Sequence, residues 1–160
     1  MVESLTDAST ADQLQNELRS LLDGMKNRFF LCNTDRKNSI PPNSSELEKK
    51  MHTRGYAAAW EKFDHAEHME RVKRGDAIFM FAKGGVGVVG VGRAKGGCEV
   101  LKPNDPGRIG GSSEWTRKSE WRVPVDWLDW RHDHDACRLN KPPRVTFWDI
   151  TRERESCAAP

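Results

Sequence analysis

The chain has 160 residues and balances 26 lysine and arginine residues against 24 aspartate and glutamate residues, so its formal net charge is only +2. This length predicts one domain, the charge gives no overall signal for nucleic acid, and no apolar run is long enough to cross a membrane. The polar start MVESLTDASTADQLQ is unlike a signal peptide, and four scattered cysteines without a C-x-x-C pair favour a reducing, cytoplasmic setting.

The N-terminal part of the chain predicts one helix and one strand. Residues 1–9 are predicted to be disordered, and leucines at helical spacing predict an amphipathic helix over 10–25 that could pack on the domain or on a partner protein. The apolar run 29–32 predicts a central strand. A loop rich in asparagine, proline and serine over 36–44 follows it.

Helical patterns follow this loop. Ser45 and Glu48 fit a capping box and predict a helix that runs to about residue 51. A second short helix is predicted over 56–63. The stretch 67–72 is also predicted to be helical, and it leads into a turn over 73–76.

The segment KGGVGVVGVGRAKGG contains the pattern G-x-G-x-x-G at Gly85, Gly87 and Gly90. A dinucleotide fingerprint must open a helix, because the helix N-terminus binds the pyrophosphate. The β-branched valines between these glycines disfavour a helix. We therefore predict a hairpin with strands over 76–82 and 86–94, in which the glycines mark a bend or a close approach by another chain segment or a ligand.

The remaining elements are short. Strands are predicted over 98–101, 121–125 and 138–139, a long loop over 102–114, and a last strand or turn over 145–148. Asp149 could cap a short C-terminal helix. Short strands with few helices predict an α+β domain built on a small, curved, mostly antiparallel sheet.

Six of these segments occur in an order that points to a family. They are the Phe-Phe-Leu strand, AAAW ending at Trp60, GDAIFMFA, the glycine hairpin, a flexible loop, and WRVPVDW over 121–127. This order resembles the EVE-like and YTH-like branch of the PUA superfamily, and most closely the reader modules of modification-dependent restriction enzymes. The resemblance covers about 28–152, and it leaves 1–27 as a tail with a helix and 153–160 as a disordered tail.

The resemblance implies a PUA-like fold, a small β-barrel-like sheet flanked by helices. It also implies a non-catalytic reader that captures a flipped base in an aromatic cage, with methylated adenine or methylated or hydroxymethylated cytosine as ligands. Stacking contributes about 1–3 kcal/mol per base against the few kcal/mol that flipping costs. Modified DNA is the preferred partner because the resemblance is to restriction readers. RNA and a nuclease partner or fusion remain open.

Six tryptophans supply candidates for the cage. Trp60 occupies the place of the first cage tryptophan in the YTH pattern. Trp115 and Trp121 lie near a tryptophan pair of that family, but one residue further apart. Each of the three could instead be a core tryptophan. Tyr56 and Glu61 flank Trp60 as weaker candidates for base binding, and core or edge packing is expected for Trp127, Trp130 and Trp148.

Polar and basic side chains complete the candidate site. Asn33, Thr34 and Asp35 follow the first apolar run, where a pocket would open, and can present donors and acceptors to a base edge. They could equally begin the loop by local side-chain bonding. Phosphate contacts position a protein without reading sequence, and the predicted contacts are Lys83, Arg93, Lys95, Arg117 and Lys118.

The sequence offers little support for catalysis. The groups HAEH at 65–68 and HDHD at 132–135 contain metal-ligand residue types, but neither is H-E-x-x-H and neither has a cysteine partner at zinc spacing. There is no His-Asn-His nuclease unit, G-x-S-x-G or P-loop lysine motif. We predict no enzyme activity, metal or cofactor. Two alternatives stay open: a protein-interaction or regulatory module that uses the N-terminal helix, and a binder of a small molecule such as a nucleotide.

Overall fold

The computed structural model describes residues 27–60, 66–110, 117–139 and 146–151. The predicted helix over 10–25 and the candidates Glu61 and Trp115 lie outside these residues. The described chain forms one α-helix, α1 (Glu46–Arg54), and three 3₁₀ helices (Arg36–Asn38, Ala66–Arg71 and Asp133–Asp135). Its seven strands are β1 (Phe29–Thr34), β2 (Tyr56–Trp60), β3 (Ala77–Ala82), β4 (Gly87–Ala94), β5 (Glu99–Leu101), β6 (Glu120–Trp130) and β7 (Phe147–Asp149).

The strands form one curved sheet in the order β2-β6-β4-β3-β1-β7, with β5 paired to β6. Only the β1–β3 pair among the described strands is parallel. The first half of β6 pairs with β2 and β5, and its second half pairs with β4. Because β6 changes partners along its length, the sheet curls until β2 lies against β1, where Cys32 Sγ is 3.7 Å from the Ala58 carbonyl oxygen.

The α+β class and the small curved sheet predicted from the sequence are therefore confirmed, and the shape is the barrel-like one that the PUA-like resemblance implies. The strand predicted over 29–32 lies inside the sheet as β1. The strands predicted over 98–101, 121–125 and 145–148 overlap β5, β6 and β7. Among the described helices, none combines the length and apolar character that a membrane span requires.

The main core lies inside the curved sheet. Inward side chains of β1 and β3 meet there, and the rings of Phe30 and Phe147 stack at 5.5 Å. Leu47 and Met51 of α1 close one side, and Met69 of the second 3₁₀ helix closes another. Burial in this core raises the pKa of the Cys32 thiol to about 12. Helix α1 and the 3₁₀ helix Ala66–Arg71 thus cover part of the inner face of the sheet.

The glycine-rich segment is the predicted hairpin, formed by β3 and β4 around a turn over 83–86. Gly84 and Gly85 have φ of 87° and 84°, which favour glycine in that turn. Within β4, a Cβ at Gly90 would lie 2.6 Å from the Trp130 ring, and one at Gly92 would lie 2.6 Å from the Asp126 carbonyl oxygen. The close approach that these glycines allow is made by β6.

The helix predicted over 56–63 is wrong where the chain is described, because residues 56–60 form β2. Gly55 ends α1 in the left-handed conformation, with φ of 71°. The next residues pair antiparallel with β6, from Tyr56 opposite Pro124 to Trp60 opposite Glu120. Alanine has no β-preference of its own, so this strand depends on a partner more than sixty residues away.

Two smaller predictions also need correction. Helix α1 begins after Ser45 as predicted, but the Ser45 side chain makes no cap hydrogen bond. The Leu47 amide instead donates to Ser39 Oγ at 3.0 Å, and Glu48 turns inward. The strand predicted over 138–139 is reduced to an isolated bridge between Val88 and Cys137, because β6 already occupies the adjacent edge of β4.

Candidate nucleic-acid interface

Two candidate segments leave the sheet where β2 ends and β6 begins. Trp60, the last residue of β2, pairs with Glu120, the first residue of β6. The chain continues from Trp60 directly into 61–65. The segment 111–116, which contains Trp115, is joined to the start of β6 by residues 117–119. The candidates Glu61 and Trp115 therefore belong to segments attached at one end of the sheet, which we call the β2–β6 end.

Trp60 itself is a core residue in this structure. Its side chain is 2% exposed and belongs to the inner hydrophobic cluster, together with Ala57 and Ala59 of the same strand. Trp121, on the neighbouring strand, is half-buried and packs against this cluster. Its indole Nε1 is buried and has no hydrogen-bond partner among the described residues. Trp60 thus forms the inner wall at the β2–β6 end, and Trp121 lies nearer the surface.

Glu120 anchors the chain just before the segment that contains Trp115. Its side chain is fully buried, and its two carboxylate oxygens accept from the amides of Ile109 and Gly110 at 2.9 and 3.1 Å. The Arg108 guanidinium, which is 7% exposed, lies 4.0 Å from the same carboxylate. Sequence reasoning missed both residues, because a charged residue in a loop or at the start of a strand is ordinarily solvent-exposed.

Four of the predicted phosphate contacts lie beside β6. Arg117 is exposed and Lys118 is half-buried just before β6. Arg93 and Lys95 are exposed, and the Lys95 amide donates to the Pro124 carbonyl at 2.8 Å, which ties this part of the chain to β6. Arg117 and Lys118 therefore lie just before β6, whereas Arg93 and Lys95 lie beside its middle, near Asp126 and Pro124.

Other arginines near these residues have protein partners. The Arg122 guanidinium lies 4.1 Å from the centre of the Tyr56 ring and pairs with Glu99 at 3.0 Å. Arg54 donates to the Arg108 carbonyl at 2.8 Å. One face of the Tyr56 ring is thus already covered by the Arg122 guanidinium, which weakens Tyr56 as a stacking surface for a base.

The remaining candidates lie at the opposite end of the sheet. β1, β3 and β6 run in the same direction, so the residues that end β1 and β3 are far from the residue that begins β6. Asn33 and Thr34 are buried there, and the Lys83 amide donates to the Thr34 carbonyl at 3.0 Å. Asp35 accepts from the Lys37 amide at 3.1 Å, the local loop bonding that the sequence left as an alternative.

A buried carboxylate also organises this second end. Glu48, 2% exposed, accepts from the Thr34 hydroxyl at 2.8 Å and from Arg36 at 2.8–3.2 Å. Arg36 also donates to both carboxylate oxygens of Asp133, at 2.6 and 2.7 Å. Hydrogen bonding to Arg36 lowers the pKa of Asp133, and the two carboxylates, with Asp133 the larger contributor, raise the pKa of Arg36.

A cleft of about 400 Å³ opens beside this network. The rings of Trp130 and His52 stack at 4.3 Å, and the Trp130 ring also rests against Gly90. The HDHD group borders the cleft, where His134 Nε2 lies 3.1 Å from Asp135. No group of three or more potential metal ligands occurs within the described part of the chain. The cleft is lined by Arg36, Glu48, Trp130, His132, Asp133 and His134, among others.

Comparison with known proteins identifies similar structures only. No protein-family model and no curated protein sequence matches the chain. The YTH domain of Zygosaccharomyces rouxii MRB1, solved with N6-methyladenosine RNA, shares 14% identity, covers 83% of this chain and 86% of its own, and has a TM-score of 0.43. Rpa0253 of Rhodopseudomonas palustris (16% identity, 81% and 89% coverage) and Atu2648 of Agrobacterium tumefaciens (15%, 80% and 88%) each give 0.42. No ligand transfers at this level of similarity.

Proposed function

We propose that this chain is a non-catalytic nucleic-acid-binding reader that captures a flipped modified base at the β2–β6 end, in DNA in preference to RNA. The observation that carries the proposal is the Trp60–Glu120 pair. It attaches the segments that contain Glu61 and Trp115 to one end of a rigid sheet. Binding residues are often placed on loops that a rigid scaffold positions.

Trp115 takes the principal stacking role in this proposal. Trp60 is too deeply buried in the described conformation to offer a ring face to a base, so it supplies the apolar inner wall. Trp121 lies on the strand that begins beside that wall. A methyl group on the captured base adds roughly 0.8 kcal/mol when it is buried. Selectivity for a modified base therefore depends on how tightly the pocket around Trp115 closes.

The polar candidates divide between the two ends. A base held beside Trp60 does not reach Asn33, Thr34 or Asp35, so we leave these residues out of the proposed contact surface. Glu61 follows Trp60 directly and is the polar candidate that best fits a base-edge contact. No contact to the Glu120 carboxylate is proposed, because its oxygens already accept from two backbone amides.

Arg117 and Lys118 are the proposed first phosphate contacts, and Arg93 and Lys95 extend the cationic surface along β4. If all four contact phosphates, the logarithm of affinity falls with the logarithm of salt concentration with a slope of about −3 to −4 on duplex DNA. An apolar protein–protein contact would show little salt dependence.

The test is fluorescence binding to short single- and double-stranded oligonucleotides. Each is unmodified or carries one methylated or hydroxymethylated cytosine, or one methylated adenine. We expect selective binding of one modification, with affinity falling about tenfold or more in Trp115→Ala and retained in Trp115→Phe, which keeps a ring for stacking. Arg117→Ala should weaken binding to every oligonucleotide alike, whereas Arg131→Ala, an exposed arginine at the opposite end, should not.

Two results would overturn the proposal. Flat, weak binding across the whole panel would favour a protein-interaction or regulatory module without nucleic-acid binding. Unchanged selectivity in a folded Trp115→Ala protein would remove the β2–β6 end as the site of base capture.

A further inference from the structure

The outer face of the sheet is also apolar. Strand register places Leu31 of β1 beside Trp148 of β7 on one side and Phe79 of β3 on the other, and Phe79 pairs with Val91 of β4. The four side chains form a row across four adjacent strands. Phe29 extends this row toward the start of β1, where its ring stacks on Phe79 at 6.4 Å. We call the surface formed by Phe29, Leu31, Phe79, Phe81, Val91 and Trp148 the outer apolar face.

This face is a separate apolar layer from the main core. Leu31 and Phe81 are only 4% exposed, but neither belongs to the inner cluster. Phe29, Phe79, Val91 and Trp148 are only partly buried. Helix α1 and the second 3₁₀ helix pack Leu47, Met51 and Met69 into the inner cluster, on the other side of the sheet. A sheet that is apolar on both faces normally has cover on both, so the outer apolar face needs a cover from elsewhere.

The chain itself supplies a segment of the right kind. Residues 10–25 have apolar side chains at helical spacing, and the polar side chains between them would face solvent. Only residues 26–28 separate this segment from Phe29, which belongs to the outer apolar face. The Arg28 amide donates to Asp76 at 2.9 Å and so holds the chain at this edge. The apolar stripe consists of Leu14, Leu18, Leu21, Leu22 and Met25.

We propose that residues 10–25 dock as an amphipathic helix on the outer apolar face. Sixteen helical residues span about 24 Å, and the four strands β7, β1, β3 and β4 span about 15 Å at their usual spacing. One helix is therefore long enough to cross the row from Trp148 to Val91. Beyond Val91 the row reaches the exposed Asp129, which marks the polar border of the face. This docking does not depend on the proposed nucleic-acid function.

Amide hydrogen exchange on the full-length chain tests the docking, with sedimentation at several concentrations to establish the oligomeric state. We expect amides of 10–25 to exchange about tenfold or more slowly than in an unstructured chain, at every concentration, in a monomer. Leu18→Asp places a charge in the stripe and should abolish this protection. Asn16→Asp, which adds the same charge on the polar side of the helix, should not.

The receiving surface is tested in the same way. Val91→Asp should abolish protection of 10–25, whereas Val100→Asp, at a half-exposed valine of β5, should leave it intact. If Val91→Asp fails to fold, Val91→Ser replaces it. The proposal is overturned by three results: no protection of 10–25 in the unmodified chain, protection that survives the change at Val91 in a folded protein, or protection found only in a dimer. The last would show that a second copy covers the face.

Discussion

Two buried glutamates, one at each end of the sheet, differ in their hydrogen-bond partners. Glu48 is bound by side chains: the Thr34 hydroxyl and the Arg36 guanidinium, which also holds Asp133. Glu120 is bound mainly by backbone, the amides of Ile109 and Gly110. Both carboxylates are almost completely buried, so each must have compensating partners.

The choice of partners decides what each end can do. The Glu48 network joins β1, α1 and the 3₁₀ helix Asp133–Asp135 through side chains, and it engages Thr34, one of the three polar residues that the sequence offered for base recognition. Glu120 holds the backbone amides of Ile109 and Gly110, the residues that lead into 111–116. A carboxylate that anchors a loop by its backbone suits a binding end, and a closed side-chain network suits a structural end.

The largest test of this comparison removes each carboxylate. Glu120→Ala should lower the free energy of unfolding by about 3–5 kcal/mol, because it removes the carboxylate beside the buried Arg108 guanidinium and the acceptor of two backbone amides. Glu48→Ala should cost less, about 1–3 kcal/mol, because Arg36 keeps Asp133 as a partner. Urea denaturation measures both, with Glu46→Ala on the exposed face of α1 as the control. A greater loss at Glu48 would contradict the assignment of the two ends.

A smaller effect tests the close approach between β4 and β6, the strand that joins the two ends. Gly92 lies opposite Trp127, and a Cβ there would meet the Asp126 carbonyl oxygen at 2.6 Å and Val125 Cγ1 at 2.5 Å. Gly92→Ala should therefore cost about 1–3 kcal/mol in the free energy of unfolding through overpacking. At Gly96 the nearest atom to such a Cβ is Pro124 Cγ at 3.5 Å. Gly96→Ala should lower the free energy of unfolding far less. Equally small losses at both positions would show that the approach of β6 to β4 does not require a glycine at position 92.

The smallest expected effect is the response of the structural end to acid. Because the folded-state pKa of Asp133 lies below its ordinary value of 3.8, its pair with Arg36 stabilises the fold fully above about that pH. The stabilisation is lost as the pH falls through the lower folded-state pKa. For so exposed a pair it amounts to no more than about 1 kcal/mol.

Asp133→Asn should remove this part of the acid dependence. Unfolding midpoints between pH 2 and pH 6 measure the change, with Asp126→Asn on β6 as the matched control. If Asp133→Asn leaves the acid limb of the stability curve unchanged, Arg36 does not hold Asp133 in solution as it does in the structure.

Local pattern was sufficient for some elements and insufficient for others. The hairpin of β3 and β4 followed from β-branched residues between glycines, a signal contained in neighbouring residues. The helix predicted over 56–63 is wrong at β2, because YAAAW has no strong local preference for helix or strand and its partner β6 begins sixty residues after β2 ends. The candidate residues lie at two ends of the sheet for the same reason: Thr34 and Trp60 each end a strand, and only the strand directions place them at opposite ends.

The sequence by itself determined the α+β class, the hairpin and the apolar strands, because hydrophobic period and turn residues act over a few positions. The tertiary structure alone decided which surface each strand end joins. In the folded chain Trp60 is buried in the core, and the Thr34 hydroxyl donates to Glu48. Glu120 accepts from the Ile109 and Gly110 amides, just before 111–116. These outcomes depend on contacts between residues far apart in the chain, and such contacts follow from the closure of the whole sheet.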